Sequence, residues 1–205
     1  MKTTLLTLIA IAVCAGALHA EIKTGEPAPD FSSKDINDKI VKLSDYKGKV
    51  VVIESFNLSC PFVVNHYKNG DMQSLQADAA SKGVVWLLVN SVNPNHRNYR
   101  NAEAARKEWD ANQIKAAAWL DDSSGSIGKA YGMKTTPHMY VIDKDGNLAY
   151  QGAIDDKADP KHDPKTARNY VKEAISALEL IRDSTDESEE KEVELIASEN
   201  VLRVL

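Results

Sequence analysis

The stretch Lys49-Val-Val-Val-Ile-Glu-Ser-Phe56, followed by Asn57-Leu-Ser-Cys60-Pro61, decides the fold of this chain. Its four consecutive β-branched residues are typical of a strand that is covered on both faces, so we expect a central strand. Proline is tolerated at the first position of an α-helix, because the N–H that it lacks has no helical partner there. Apolar residues at roughly helical spacing predict a helix over 62–81, with Gly70 as an interruption. Cys60 therefore falls where a strand ends and a helix begins.

This position gives Cys60 a chemical role to consider. Unpaired backbone N–H groups and the positive end of the helix dipole lie at a helix start and favour a thiolate, which is the nucleophilic form of cysteine. The chain has one other cysteine, Cys14, which lies in a predicted export signal. Cys60 then has no partner in the mature chain. It is either a reactive thiol that pairs with another molecule or an inert, buried hydrophobic residue.

The rest of the chain alternates between strand and helix patterns. Lys144-Asp145-Gly146 predicts a hairpin turn, with Gly where a positive φ is needed. This order predicts an α/β fold in which a central mixed sheet carries helices on both faces and ends in an antiparallel hairpin. The predicted strands are 84–90, 116–120, 138–143 and 147–152, and the predicted helices are 103–112, 126–131 and 164–182.

Composition places the chain among ordinary globular proteins. It has 205 residues, of which 43% are hydrophobic and 27% are charged, enough for one well-packed domain and an appendage. The formal net charge is −5, but residues 183–194 alone hold seven acids and one Lys. The remaining chain is nearly neutral and has no broad basic surface, so we expect no nucleic acid partner.

The N-terminus predicts export. Lys2 precedes an apolar run over 5–13, and small residues follow through Ala20, as in a signal peptide over 1–20. That run is too short to span a bilayer, and no later stretch approaches the length required, so we expect no transmembrane segment. Val13 stands where a lipoprotein signal has a small residue, which disfavours lipid anchoring at Cys14. We expect a periplasmic or secreted protein with a domain over 21–182 and an acidic tail over 183–205.

Several motifs resemble a known family. Gly25-Glu-Pro-Ala-Pro-Asp-Phe31 and Leu43-Ser-Asp-Tyr-Lys-Gly-Lys49 resemble the opening of the redoxins, the alkyl hydroperoxide reductase and thiol-specific antioxidant branch of the thioredoxin fold. Ser59-Cys-Pro-Phe-Val63 and Lys134-Thr-Thr-Pro-His138 are similar to exported, peroxiredoxin-like thioredoxin-family proteins. The resemblance covers about residues 25–180 and implies a thioredoxin-like three-layer sandwich.

The resemblance also implies roles for residues around Cys60. Pro137 corresponds to a cis proline that faces the active cysteine, and the backbone of Thr136 would pair with an extended substrate chain, with Pro61 and His138 beside it. A plain proline at the start of a strand is the alternative. Glu54 corresponds to a buried carboxylate whose pKa is raised by desolvation and which accepts a proton during thiol exchange. A solvent-facing glutamate on an irregular strand is the alternative.

The sequence departs from the family pattern in three places. Val63 replaces the second cysteine of the thioredoxin motif, so a dithiol cycle within that motif is impossible. Ile53 and Asn57 replace the proline and the hydroxyl residue that precede a peroxidatic cysteine, although the Asn57 amide could still donate a hydrogen bond. The tail holds no cysteine. Any catalytic cycle therefore needs an external thiol or a thioredoxin-like reductant.

The five histidines raise the question of a metal. His66 lies on the helix after Cys60, His138 adjoins Pro137, His96 and His162 lie in polar loops, and His19 belongs to the signal. One cysteine and one histidine do not make a closed metal site, which usually has three or four ligands. We therefore expect no bound metal and no other cofactor.

Three functional hypotheses remain open. The first is an exported thiol-dependent oxidoreductase or antioxidant in which Cys60 attacks a peroxide or a disulfide and an external thiol regenerates it. The second is a non-catalytic thioredoxin-like binding module that holds an extended partner near Pro137. The third is a metal chaperone.

Overall fold

A five-stranded mixed sheet forms the centre of the protein, and the chain order of its elements follows the predicted alternation. The computed structural model describes residues 22–183, with side chains through residue 180, so the predicted signal peptide and nearly all of the acidic tail lie outside the described residues. The elements are β1 (Ser32–Lys34), β2 (Ile40–Lys42), β3 (Val51–Ser55), α1 (Pro61–Lys68), α2 (Asp71–Ser81), β4 (Val85–Asn90), α3 (Ala102–Ala111), β5 (Ala118–Asp121), α4 (Ser126–Ala130), β6 (His138–Ile142), β7 (Leu148–Gly152) and α5 (Tyr170–Asp183).

The strand that the β-branched run predicts is central. Strand β3 runs parallel to β4 on one side and antiparallel to β6 on the other, within the order β5-β4-β3-β6-β7. All five of its residues are buried. Strands β6 and β7 form the predicted antiparallel hairpin at one edge. The α/β class and the mixed sheet are therefore confirmed.

Helices cover both faces of this sheet. The face that carries Val52, Glu54 and Phe56 packs against α1, α2, α3 and α5, because apolar residues of all four helices join its core. The opposite face, with Val51 and Ile53, packs against α4 and against the N-terminal residues around β2. Alternating side chains along β3 thus divide the interior into two cores. Glu54, the site candidate on β3, lies on the face of Val52 and Phe56.

The prediction of one helix over 62–81 is wrong. Helix α1 ends at Lys68 and α2 begins at Asp71, because Gly70 adopts a left-handed backbone with φ 80°.

Two further differences from the predicted elements lie at the ends of the domain. The hairpin of β1 and β2 was not predicted, and α5 begins at Tyr170, since residues 164–166 form a separate 3-10 turn.

No helix among residues 22–183 is both long enough and apolar enough to cross a bilayer.

Candidate active site

Cys60 lies at the junction that the sequence predicts. It is the N-cap residue of α1, with Pro61 at the first helical position. Its backbone N–H donates to the Asn57 carbonyl at 2.9 Å, and its own carbonyl accepts the first helical hydrogen bond from Val64 at 2.9 Å. The backbone around the cysteine is therefore held from both sides, and the side chain is half-buried.

The Cys60 sulfur faces the loop before β6. The thiol donates a hydrogen bond to the Thr136 carbonyl, with 2.9 Å between sulfur and oxygen. The Thr136–Pro137 peptide bond is cis, as the family resemblance implies. The sulfur makes no capping hydrogen bond with the helix start. A thiolate at this position would lose the bond to Thr136, because it has no proton to donate.

Asn57 shapes the loop between β3 and α1. Its side-chain Oδ1 accepts a hydrogen bond from the Ser59 N–H at 2.8 Å, while its carbonyl accepts the one from Cys60. This is the local turn that asparagine commonly forms with the backbone two residues on. The amide oxygen of Asn57 is therefore committed to the loop.

Glu54 is fully buried, as the family resemblance implies, and is not the solvent-facing glutamate of the alternative. Its Oε2 accepts hydrogen bonds from the Trp86 indole N–H at 2.9 Å and from the Tyr67 hydroxyl at 3.1 Å. The Tyr67 oxygen in turn accepts a hydrogen bond from Gln76 at 2.8 Å, which leaves its only proton for Glu54. Burial raises the pKa of Glu54 to about 7, against the lowering effect of the two donors. A carboxyl with this pKa exchanges protons near neutral pH.

The Glu54 carboxyl and the Cys60 sulfur belong to separate hydrogen-bond networks. Among the described residues, the partners of the carboxyl are Trp86 and Tyr67, and the partner of the sulfur is Thr136. Both groups lie on the same side of the sheet. Cys60 packs against the core that contains Val52 and Phe56, and these two residues share the face of Glu54. A direct proton transfer between them would need a bridging water or a shift of the loop.

His138 belongs to the opposite face. Its ring stacks on the Tyr140 ring with 4.5 Å between centroids, and its Nδ1 lies 3.0 Å from the Tyr140 hydroxyl. Tyr140 is fully buried in the core beneath α4. Residues two apart in a strand share a face, so His138 at the start of β6 points away from the face of Glu54. The direction of the His138 side chain could not be predicted from the sequence, because it depends on the register of β6 against β3.

A surface cavity of about 520 Å³ lies beside the cis-proline loop. Thr135 and Thr136 line one wall, and the residues that follow β3 and β4 line another, including Phe56 and Ser91. Ligands of open α/β sheets commonly bind at the carboxyl ends of such parallel strands. The cavity could not be predicted from the sequence, because its lining comes from three distant stretches of the chain, at 55–56, 91–92 and 125–136.

A second cluster lies at the other end of α1. His66 Nε2 and His162 Nε2 lie 3.4 Å and 2.8 Å from the same oxygen, Oδ2 of Asp155. Burial lowers the pKa of His66, against the raising effect of Asp155. For His162 burial also acts to lower the pKa, but hydrogen bonds to Asp159 and Asp155 outweigh it and raise the pKa. The sequence placed His162 in a polar loop and did not connect it with His66.

Comparisons with known proteins identify the family of this chain. The family model described as Redoxin matches residues 23–171. A thiol:disulfide interchange protein DsbE of Pseudomonas aeruginosa is 27% identical over 139 residues, which is 65% of this chain and 69% of the relative. The thiol-disulfide oxidoreductase ResA of Bacillus subtilis is 32% identical over 87 residues, which is 39% of this chain and 48% of that protein.

Solved structures share the architecture. A hypothetical protein from Sinorhizobium meliloti superposes with a TM-score of 0.66 at 23% identity, covering 78% of this chain and 85% of the other. A protein from Chlorobium tepidum, named as a thiol:disulfide interchange protein DsbE, superposes with a TM-score of 0.58 at 24% identity, covering 77% and 99%. These similarities confirm the thioredoxin-like three-layer fold.

Proposed function

Because this chain belongs to the redoxin family, we propose that it is a thiol–disulfide oxidoreductase whose nucleophile is Cys60. The observation that carries the proposal is the position of the Cys60 sulfur, half-exposed at the start of α1 and 2.9 Å from the Thr136 carbonyl beside a cis proline. The names of the DsbE and ResA relatives describe the same class of reaction.

The reaction proceeds in two exchange steps. The Cys60 thiolate attacks one sulfur of a substrate disulfide, the S–S bond breaks, and the second substrate sulfur leaves as a thiolate that takes up a proton. The product is a mixed disulfide at Cys60. An external thiol, either a small molecule or a thioredoxin-like reductant, then attacks this mixed disulfide and releases the Cys60 thiolate. One substrate sulfur is then a free thiol, and the other is bonded to the external thiol. A second thiol of the reductant attacks that bond, releases the second substrate thiol and ends in a disulfide with the first.

Two groups near Cys60 assist these steps. The hydrogen bond from the thiol to Thr136 holds the sulfur beside the cis-proline loop, where the backbone can align an extended substrate chain. Glu54, with a pKa of about 7, accepts the proton that Cys60 releases, through a water between the two groups. Asn57 acts through the loop that it shapes, and Pro61 starts the helix.

Peroxide is a second candidate oxidant for Cys60. In that reaction the thiolate attacks one peroxide oxygen, the O–O bond breaks, and the cysteine becomes a sulfenic acid. The disulfide reaction is favoured because Asn57, and not a hydroxyl residue, stands three positions before Cys60, where a peroxide would be oriented. The signal peptide that the sequence predicts supports a reaction outside the cytoplasm, where substrate disulfides persist.

Intact mass spectrometry tests the proposal directly. The purified protein is incubated with glutathione disulfide in one sample and with stoichiometric hydrogen peroxide in another, and Cys60→Ser serves as the control. We expect one glutathione adduct per chain, absent in the control and removed by excess reduced thiol. A single added oxygen with peroxide and no glutathione adduct would transfer the proposal to peroxidase chemistry. An unmodified sulfur in both samples would favour the non-catalytic binding module.

Glu54→Gln tests the proton acceptor. Its side chain has nearly the same size, but the amide does not accept a proton near neutral pH. We expect slower adduct formation and a flatter pH profile of the rate between about pH 6 and 8, the range around a pKa near 7. An unchanged rate and profile would remove Glu54 from the mechanism and leave the nucleophile intact.

A further inference from the structure

We propose that His66, Asp155 and His162 form a binding site for one divalent transition-metal ion of the Zn²⁺ class, separate from Cys60. One ligand atom from each residue lies within 4.8 Å of the other two. Two imidazole nitrogens and one carboxylate oxygen are a donor set that Zn²⁺ accepts, with a water in the fourth position.

The two distances from the imidazole nitrogens to Asp155 are close to those around a tetrahedral ion. With metal–ligand bonds of about 2.1 Å, the edge of a tetrahedron measures about 3.4 Å. His66 Nε2 lies 3.4 Å from Asp155 Oδ2 already. His162 Nε2 lies 2.8 Å from the same oxygen, so this pair needs to separate by about half an ångström for the ion to enter. A side-chain rotation of His162 or Asp155 is enough for such a change.

Hydrogen bonds with residues outside the cluster orient two of the proposed ligands, His162 and Asp155. His162 Nδ1 lies within hydrogen-bond distance of the Asp159 carbonyl, which only accepts, so Nδ1 carries a proton. Nε2 faces the Asp155 carboxylate, which also accepts, and the ion would displace the proton that Nε2 donates there. Metal-bound histidines commonly have this arrangement, in which a carbonyl fixes the ring and its tautomer. Asp155 is held in the same manner, because its Oδ1 accepts the Lys157 N–H at 3.0 Å while Oδ2 faces both rings.

The burial of the charged side chains in this cluster favours a bound cation. The side chains of His66 and Asp155 are 4% and 3% exposed, and that of His162 is 9% exposed. A second carboxylate, Asp71, interacts electrostatically with His66, and its Oδ2 is buried without a hydrogen-bond partner. Two carboxylates beside two imidazoles provide the negative charge that a divalent cation would balance.

The cluster borders a surface cavity on the side of His66. This cavity of about 590 Å³ is lined by His66 and Asp71, and by Pro164 and Asn169 from the segment before α5. His66 is the one proposed ligand that lines it, so we expect an ion to enter from this side.

A bound ion would link α1 to the segment between β7 and α5, residues 153–169. His66 belongs to α1, whereas Asp155 and His162 belong to that segment. One direct bond already joins these parts, since the Asn65 side chain donates to the His162 carbonyl at 2.9 Å. A metal that joins distant parts of a chain binds the folded state and stabilises it.

Zinc titration of untagged protein tests this site. The protein is stripped with a chelator and then titrated with Zn²⁺ in competition with a chromophoric chelator. We expect one bound Zn²⁺ per chain, with Cys60→Ser and His96→Ala binding as the wild type does. We expect His162→Ala and Asp155→Asn to bind at least about 100-fold more weakly, since even outer partners of zinc ligands change affinity by 10- to 100-fold.

Cobalt provides a readout that needs no variant. Co²⁺ in the wild-type protein should give the visible absorption of a tetrahedral site with nitrogen and oxygen ligands, without a sulfur charge-transfer band. Absence of one-to-one binding would overturn the proposal, as would zinc affinity that is unchanged in both variants. Loss of binding in Cys60→Ser would overturn it as well, because it would move the site to the cysteine. Zinc should also raise Tm for wild type and His96→Ala but not for Asp155→Asn.

Discussion

Glu54 shows how much a single residue can reveal. One carboxylate in an apolar strand is compatible with a buried or a solvent-facing acid, the family resemblance implies the buried one, and the structure shows Glu54 buried. Its hydrogen-bond partners could not be predicted, because Trp86 comes from the next strand and Tyr67 from α1. Only the register between β3 and β4 and the packing of α1 bring these donors to the carboxyl.

The raised pKa of Glu54 makes stability depend on pH. The folded state holds a proton up to about pH 7, whereas a free carboxyl releases it near 4.5. The protonated carboxyl therefore contributes its full share to the free energy of unfolding below about pH 4.5. This share is lost as the pH rises through about 7, at about 1.4 kcal/mol per pH unit. Urea unfolding at about pH 5 and about pH 7 measures it, and Glu54→Gln should lack this component. Equal slopes in the two proteins would show that the carboxyl is not buried in its neutral form.

Helix boundaries depend on backbone conformation as much as on apolar spacing. The spacing from Val63 to Ala79 resembles one helix, yet Gly70 with φ 80° separates α1 from α2. A glycine inside a helical pattern is compatible with a break or with a weak position, and the sequence pattern cannot distinguish the two. The break shortens α1 to the eight residues between Cys60 and the turn.

Gly70→Ala should test that break. A Cβ at this position meets no atom within 4 Å, so the cost is purely conformational, about 1 kcal/mol for a left-handed alanine. Chemical denaturation measures the change in free energy of unfolding. Lys68→Ala, on an exposed position of α1, serves as the control and should change stability by less than about 0.5 kcal/mol. A stabilised Gly70→Ala protein would mean that α1 and α2 can join into one helix.

Asp122 connects β4 to α4. The side chain is 2% exposed, and its oxygens accept the backbone N–H groups of Ile127 at 3.0 Å and Gly128 at 2.8 Å. Its Oδ2 also accepts the Ser91 hydroxyl at 2.6 Å. Both Ser91 and Gly128 line the cavity beside the cis-proline loop, so this carboxylate shapes one of its walls.

Asp122→Ala should be strongly destabilising. It leaves two buried N–H groups without acceptors, which costs about 3 kcal/mol in unfolding free energy. Asp121→Ala is the matched control, because that exposed side chain accepts only the Ser123 N–H among the described residues. We expect a much smaller loss for the control by thermal or urea unfolding. Similar losses in the two variants would contradict the buried role of Asp122.

Phe56, which follows β3, contacts aromatic rings from distant parts of the domain. Phe56 is 1% exposed, and its ring meets the Tyr67 and Trp119 rings at centroid distances of 5.3 Å and 4.7 Å, both edge to face. These three rings join the central strand to α1 and to β5. The core that supports the active-site loop is therefore continuous with the far edge of the sheet.

Phe56→Ala should reduce the stability of the entire domain. Truncation of a buried phenylalanine costs about 3 to 5 kcal/mol, because it removes apolar contacts and leaves a cavity. Phe56→Leu fills part of that space and should lose less. Val64→Ala, at a 39% exposed position on α1, is the control, and circular dichroism during denaturation compares all three. A loss below about 1 kcal/mol for Phe56→Ala would mean that the rings contribute little to the core.

Local patterns in the chain were sufficient for the central strand, the β6–β7 hairpin and the junction at Cys60, because each depends on residues that are neighbours in sequence. Folding alone brought the Cys60 sulfur to Thr136, turned His138 toward Tyr140 and joined His66 with Asp155 and His162. Those contacts depend on strand register and on how helices pack across the sheet. Such long-range geometry arises from the packing of the whole chain and leaves no periodic pattern in the sequence.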